Sequence, residues 1–303
     1  MRAFFTVLSF LLSALPAFAQ IKTIQVTAHS WAFVGPLGQR SPGNLGNNAT
    51  FGLVVTPQGA VLMDPGGTRL GAARLHSMIQ AVTDQPVKYV IDTGGQDHRW
   101  LGNGYWKEQG ATIIASADAV EDQKSRVRAQ LEALDRTVGE FGTEGTVPVY
   151  ADITFADRYE LSLGDVTLHI RHVGPAHTPG DSFVWFPDES VVFTGDIIYV
   201  QRILAVQPYS SSAGWLQAFD AIAALEPEHV VPGHGAPTDI LTAASDTRDY
   251  LANLREHIKE YMDGGGDIFG SVSVDQSGFS YLENFEQLAR RNAQTVFEQM
   301  EWE

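Results

Sequence analysis

The chain has 303 residues, with 20 Lys and Arg against 36 Asp and Glu, and its formal net charge is −16. Such acidity argues against binding to a nucleic-acid backbone, which needs a basic surface. The chain has no cysteine, which excludes disulfides, thiol catalysis and thiolate metal sites, so any metal must be held by His, Asp, Glu or Gln.

Residues 1–19 have the features of a secretory signal peptide. One Arg precedes a short apolar run, and the pattern Ala17-Phe18-Ala19 follows it. The apolar run is too short to span a bilayer comfortably, so cleavage after Ala19 is favoured over an uncleaved anchor helix. We therefore expect a periplasmic or secreted protein without a stable membrane anchor, in which residues 20–303 form a single domain.

The first half of the mature chain alternates predicted strands and helices. Short apolar runs on both sides of Pro57-Gln58-Gly59 predict a hairpin. Apolar residues at i, i+3, i+4 and i+7 predict an amphipathic helix over 69–82. Further along, we expect buried strands at 87–91 and 112–115, a short helix at 100–108, and a helix at 117–136 with Ser116 as its N-cap.

The second half begins with strands and ends with helices. Apolar and polar residues alternate from Val166 to Ile170, and a second hairpin is predicted around Pro187-Asp188. A helix around 215–223, a short strand at 229–231 and two C-terminal helices follow, the first of which should stop at Gly264-Gly265-Gly266. Two packed sheets with helices outside would account for this order.

Polar residues that can bind a metal follow several of the predicted strands. A rigid sheet can direct such strand-end side chains at a common point. A set of His and Asp without Cys suits Zn²⁺ or Fe. The candidates are Gln96, Asp97, His98, His177, Asp196 and His234.

In motif order, residues 45–240 resemble the metallo-β-lactamase fold family of hydrolases. The matching motifs are VLMDPGG with Asp64, GPAHTPGD with His177, FTGD with Asp196 and PGHG with His234. The resemblance implies an α/β fold, a four-layer αββα sandwich of two mixed β-sheets flanked by helices. It also extends to the secreted quinoprotein-relay (SoxH-like) subgroup. Asp64 is expected to hydrogen-bond the loop backbone rather than to bind the metal.

The family's second motif, His-x-His-x-Asp-His, is altered in this chain. In the ungapped register, Gly94 and Gln96 replace the two first histidines, His98 replaces the Asp, and Arg99 replaces the last His. With a shift of one residue, Asp97 and His98 become the Asp-His pair. Both registers stay open at this point, and both keep His98 near the metal.

The altered motif predicts one metal ion rather than two, zinc more than iron. We expect His98, Asp196 and His234 to hold it, with His177 as a fourth ligand or water-binding group and Gln96 as a weak donor. Three protein ligands with one open position are typical of catalytic zinc. A metal-bound hydroxide would attack the carbonyl of a small ester, thioester or lactam, and Asp97 would orient the water or accept its proton.

The lost ligands leave a second interpretation open. The chain would then be a metal-poor binding or relay protein of a periplasmic redox or quinoprotein system, a pseudoenzyme on the same fold.

Arg99 and Trp100 are expected either to line the mouth of the site or to begin a helix, with Trp100 in the core. The sequence leaves the substrate and the oligomeric state open.

Overall fold

Two β-sheets form the centre of the computed structural model, which describes residues 21–303; the predicted signal peptide lies outside the described residues. The strands of the first sheet are β1 Lys22–Gln25, β2 Ser30–Val34, β3 Thr50–Thr56, β4 Gly59–Met63, β5 Val87–Asp92, β6 Thr112–Ser116 and β7 Ile153–Phe155. Those of the second are β8 Arg158–Leu163, β9 Val166–His172, β10 Ser182–Phe186, β11 Val191–Phe193 and β12 His229–Val231.

Both sheets mix antiparallel and parallel pairs. The first keeps the chain order β1 to β7; β1 to β4 are antiparallel neighbours and β4 to β7 are parallel. The second has the order β12-β11-β10-β9-β8, and β11 and β12 are its parallel pair. Because the parallel strands point the same way, the loops after them emerge together at one edge.

Helices connect the strands and cover the outer faces of the sheets. In the described part of the chain they are α1 Arg69–Gln80, α2 Asn103–Glu108, α3 Ala117–Val138, α4 Glu140–Thr143, α5 Ser212–Ala223, α6 Ile240–Ala243, α7 Asp249–Asp263, α8 Ile268–Ser271 and α9 Phe285–Met300. Over residues 21–303, none of these helices has the length and apolar character needed to cross a membrane.

The three largest apolar clusters of the described residues hold the layers together. Side chains between the sheets include Val54 and Ile91 from the first sheet and Ile170 and Phe193 from the second. Helix α1 packs on the outer face of the first sheet, and α5, α7 and α9 pack on that of the second. The predicted αββα sandwich is confirmed.

Most of the predicted elements are present. The helix expected at 69–82 is α1, the helix expected at 117–136 is α3, and the hydroxyl of Ser116 caps α3 by accepting from the backbone N–H of Ala119 at 3.0 Å. Helix α7 ends at Asp263, directly before the three glycines. Four strands of the structure, β1, β2, β7 and β8, were not predicted from the sequence.

Candidate metal centre

The strand-end loops converge at one edge of the sandwich. The loop after β5 contains a 3₁₀ turn, Asp97–Arg99, and the loop after β11 carries Asp196 in a similar turn. The loop after β12 carries His234. Gly195, which precedes Asp196, has φ 51° and lies so close to Thr93 that a Cβ would be 2.1 Å from the threonine hydroxyl oxygen. Only glycine fits this approach, and it brings the two loops into contact.

His98, Asp196 and His234 form a compact, buried cluster. His98 Nε2 lies 3.1 Å from Asp196 Oδ2, and His234 Nε2 lies 3.2 Å from Asp196 Oδ1. Potential ligand atoms of the three side chains all lie within 4.8 Å of one another. None of the three residues is more than 3% exposed. The structure thus brings together the three residues that were predicted to hold the metal.

The outer nitrogen of each histidine ring has a partner that fixes the ring. His234 Nδ1 lies 2.9 Å from the carbonyl oxygen of Asn48, to which it can donate, so its Nε2 is free to face Asp196. His98 Nδ1 lies 3.2 Å from Asp97 Oδ1 and 2.7 Å from Arg40 Nη2. A guanidinium only donates, so in the Arg40 contact Nδ1 accepts and the ring proton lies on Nε2, which faces Asp196. A metal on Nε2 would require the proton to move to Nδ1, from which it can be donated to Asp97, the arrangement usual for metal-binding histidines.

The electrostatics of the cluster suit a cation. Although burial opposes its ionisation, the Arg99 guanidinium holds the pKa of the Asp196 carboxyl well below its usual value. Burial and the nearby Arg202 charge hold the pKa of His234 well below its usual value, so its ring is neutral. One carboxylate and two imidazoles are a zinc donor set, and ligand atoms about 3.3 Å apart would fit Zn–ligand bonds of about 2.0–2.1 Å in a tetrahedron. The residues present therefore fit one zinc ion.

Arg99 fills the adjacent position with its own positive charge. Its guanidinium is fully buried and donates to Asp196 Oδ1 and Asp64 Oδ2, each at 2.7 Å. It also donates to the carbonyl oxygen of Gly233 at 2.8 Å. Of the two positions predicted for Arg99, lining the site mouth is wrong, because its side chain is fully buried. Trp100 lies in the core, as the other alternative predicted.

Asp64 holds the second-motif loop, as expected. Its carboxylate accepts from the backbone N–H of Thr93 at 2.9 Å and from the Thr93 hydroxyl at 2.8 Å, in addition to Arg99. Because Asp64 and Asp196 share one guanidinium, the carboxylates of the first and fourth motifs are joined through Arg99.

The other expected ligands lie outside this cluster. Asp181 Oδ1 lies 2.3 Å from where a Cβ on Gly94 would be, so the Gly94 position has no room for a ligand side chain. Gln96 Oε1 accepts from the Tyr209 hydroxyl at 3.2 Å. His177 Nδ1 lies 3.1 Å from the carbonyl oxygen of Ala205, and burial lowers the pKa of its ring to about 4. Roles for His177 and Gln96 in binding the metal stay predictions.

Asp97 pairs with Arg40, a residue that the sequence analysis did not single out. Although burial opposes its ionisation, the Arg40 charge holds the pKa of the Asp97 carboxyl far below its usual range. Asp97 also accepts from its neighbour's backbone, the N–H of His98, at 2.8 Å. The catalytic role predicted for Asp97 stays a prediction, and its contacts place it where it can orient His98.

A small cavity opens over the cluster. It has a volume of about 130 Å³, and its lining includes His98, His177, His234, Arg40, Arg202 and Arg291. A second cavity of about 380 Å³ adjoins it and shares Gln39, Arg40 and Gln96 with it. Sequence reasoning missed Arg40 and Arg202, because an Arg outside a motif is indistinguishable in sequence from a surface Arg.

Comparison with known proteins identifies a matching family and a curated relative. Residues 46–234 match the model of the metallo-beta-lactamase superfamily. A linear primary-alkylsulfatase from Pseudomonas sp. is 19% identical over 258 residues, which cover 70% of this chain and 47% of the relative. The chain therefore matches about half the length of that curated relative.

Solved structures share the fold. A stereoselective inverting sec-alkylsulfatase from Pseudomonas sp. superimposes with a TM-score of 0.72 at 16% identity, covering 92% of this chain and 50% of the other. A metallo-beta-lactamase from Pontibacter korlensis gives a TM-score of 0.61 at 21% identity, covering 77% of this chain and 100% of the other. At these identities the likeness establishes the fold alone.

Proposed function

Because this chain belongs to the metallo-beta-lactamase superfamily, we propose that it is a zinc-dependent hydrolase that works with one metal ion. The observation that supports the proposal is the buried His98–Asp196–His234 cluster. In it, the Nε2 atoms of the two histidines face the ionised carboxylate of Asp196. When bound, the ion supplies the Lewis acidity that makes hydrolysis possible near neutral pH.

The side chains around the cluster have complementary roles in this proposal. Arg99 keeps Asp196 ionised and orients it through a 2.7 Å hydrogen bond. Asn48 and Asp97 hold the outer ring nitrogens of His234 and His98. His177 lines the cavity, where it can hydrogen-bond a substrate or water or supply a further ligand. The burial of the site excludes bulk water from these contacts, which strengthens them.

The substrates we propose are small molecules with an ester, thioester or lactam carbonyl. Because two similar proteins are alkylsulfatases, we add sulfate esters to the candidate substrates. We further propose that residues 1–19 direct export and are cleaved after Ala19, so that the enzyme acts in the periplasm or outside the cell. Membership of the secreted quinoprotein-relay subgroup is part of the same proposal.

Turnover by the purified mature protein on carboxyl ester, thioester, lactam and sulfate ester substrates tests this function. We expect activity that zinc supports and that His98→Ala and His234→Ala each abolish. His169→Ala is the matched control, because His169 lies on β9, outside the cluster and its cavity. Activity that survives both cluster variants would contradict the proposal.

A second candidate function is favoured by the Arg99 contacts. A buried Arg joined to two carboxylates can stabilise the loops without a metal, as a binding or relay protein would need. A folded protein without metal and without turnover on the same panel would support this alternative.

A further inference from the structure

The small cavity over the cluster is lined by basic side chains, although the chain as a whole is negatively charged. The chain carries a net charge of −16, yet three Arg and three His side chains line this cavity, and no carboxylate among the described residues does. The three guanidiniums differ in depth: Arg202 is buried, Arg40 is half-buried and Arg291 is exposed at the opening. They form a positively charged path from solvent to the cluster.

Arg202 is the least satisfied of these side chains. It is only 5% exposed, and its Nε has no hydrogen-bond partner. Its Nη1 lies 3.3 Å from His234 Nδ1 and 3.5 Å from the carbonyl oxygen of Gly38, the latter at the limit of a hydrogen bond. Within residues 21–303 it makes no ion pair with a carboxylate, whereas Arg99 makes two.

A buried guanidinium without an anionic partner is costly, because burial removes its hydration, and the two long contacts of Arg202 Nη1 replace little of it. Burial accordingly lowers the pKa of Arg202. Arg40 already pairs with Asp97, but its Nε is buried and lacks a hydrogen-bond partner. Guanidinium groups bind carboxylate, sulfate and phosphate oxygens through paired N–H donors. Arg202 and Arg40 both line the cavity, so it is lined by two groups of the kind that recognise an oxyanion.

We propose that this cavity binds the oxyanion group of a small organic substrate between Arg202 and Arg40, with Arg291 at the entrance. The proposal deepens the proposed function, since the bound anion would lie against the His98–Asp196–His234 cluster. The substrate class is small esters that carry a sulfate, phosphate or carboxylate group.

The adjoining cavity suits the remainder of such a molecule. The volume of about 130 Å³ over the cluster is well below the roughly 300–1,000 Å³ of sites for whole drug-sized ligands, so it would hold a head group only. The neighbouring volume of about 380 Å³ is lined partly by Ala129 and Ala133 of α3 and by Tyr209, on whose ring Arg126 stacks at 3.9 Å. A short, partly apolar chain would lie there.

Titration calorimetry of the purified protein with sodium sulfate, sodium phosphate and sodium acetate, at constant ionic strength set with NaCl, tests the site. We expect saturable binding of at least one anion at one site per chain. Comparison of the three titrations shows which oxyanion the site prefers. Arg202→Met should weaken this binding roughly tenfold or more, as expected when a charge-assisted hydrogen bond is lost. Arg128→Met removes the same charge from the exposed surface of α3 and should bind as the unchanged protein does.

Arg291→Met is the second variant, since this side chain is exposed and its replacement should leave the fold intact; it should weaken binding several-fold. Absence of saturable binding of all three anions, or equal binding by the unchanged protein, Arg202→Met and Arg291→Met, would overturn the proposal. The same titrations with a zinc chelator present separate the two proposals. Anion binding without zinc-dependent turnover would refute only the hydrolase, and zinc-dependent turnover without anion binding would refute only the anion site.

Discussion

Arg99 Nη2 donates to Asp196 Oδ1 at 2.7 Å, and both side chains are completely shielded from solvent. In the ungapped register of the second motif, Arg99 stands where the family has its last histidine. In that register, a fixed positive charge of the chain stands where the family has a neutral metal ligand. The same guanidinium pairs with Asp64, so one buried cation balances two buried carboxylates.

Replacing this cation should destabilise the fold strongly. Arg99→Met leaves Asp64 and Asp196 buried without their shared partner, and breaking a buried pair in this way typically costs about 3–5 kcal/mol. We expect a loss of this size in the free energy of unfolding, measured by urea denaturation at pH 7. Arg128→Met breaks an exposed ion pair with Glu132 and should leave the unfolding midpoint nearly unchanged. Equal stabilities of the two variants would show that the buried pairs contribute little.

Restoring the first histidine of the motif should not restore a ligand. Gly94→His places a Cβ about where Asp181 Oδ1 and the Thr178 hydroxyl already lie, at 2.3 and 3.3 Å. We expect a destabilisation of about 1–3 kcal/mol from overpacking, and no increase in zinc content measured by elemental analysis. Gly278→Ala, where a Cβ meets nothing within 4 Å, is the control for loss of a glycine. A second zinc ion in Gly94→His would contradict this prediction.

Through His177, the metal-free protein should lose stability as the pH is lowered below about 6.5, whereas Asp181, whose pKa burial raises to about 8, contributes in the opposite direction. Burial lowers the pKa of His177 to about 4, whereas in the unfolded chain a histidine has a pKa of about 6.5. Between these values the unfolded state binds a proton that the folded state does not, so stability decreases by up to about 1.4 kcal/mol per pH unit for this residue. His234, whose pKa is also lowered, adds to the slope.

Urea denaturation from pH 7 to pH 5 with a chelator present measures this slope. His177→Gln removes its contribution, so toward pH 5 this variant should lose less stability, or gain more, than the unchanged protein does. His169→Gln, on β9 away from the cavity, should leave the slope as it is. A slope in His177→Gln as steep as in the unchanged protein would count against a buried neutral His177.

Asp97→Asn should show whether Asp97 positions His98 or acts as a catalytic base. Asp97 contacts His98 Nδ1 at 3.2 Å and pairs with Arg40, so its loss should weaken zinc affinity about 10–100-fold, as is usual for partners of metal ligands. Competition with a chromogenic chelator measures this affinity. The opposite result is an unchanged zinc affinity together with a turnover rate, at saturating zinc, that no longer falls at acidic pH. That result would identify Asp97 as the base predicted from the sequence.

Local patterns were sufficient to predict much of the fold. The helical periodicity of α1, the Ser116 cap of α3 and the glycines after α7 each specify an element through neighbouring residues. The missed strands lack such a signal. Strand β1 is an edge strand whose four residues are mostly exposed, and only its pairing with β2 defines it.

The site was predictable where residues carry motifs and not where they act through distant contacts. His98, Asp196 and His234 stand at strand ends, and their convergence follows from the resemblance to a known fold. The roles of Arg99 and Arg202 depend on partners far along the chain: Asp196 is 97 positions from Arg99, and His234 is 32 from Arg202. Burial of these two guanidiniums results from tertiary packing, and no local sequence pattern predicts it.

The metal content of the mature protein tests the one-metal centre most directly. After zinc loading and dialysis, elemental analysis should find one zinc ion per chain in the unchanged protein and none in His234→Ala, because the cluster then keeps only His98 and Asp196. Two zinc ions per chain, or none after loading, would contradict a centre in which the His98–Asp196–His234 cluster binds one ion.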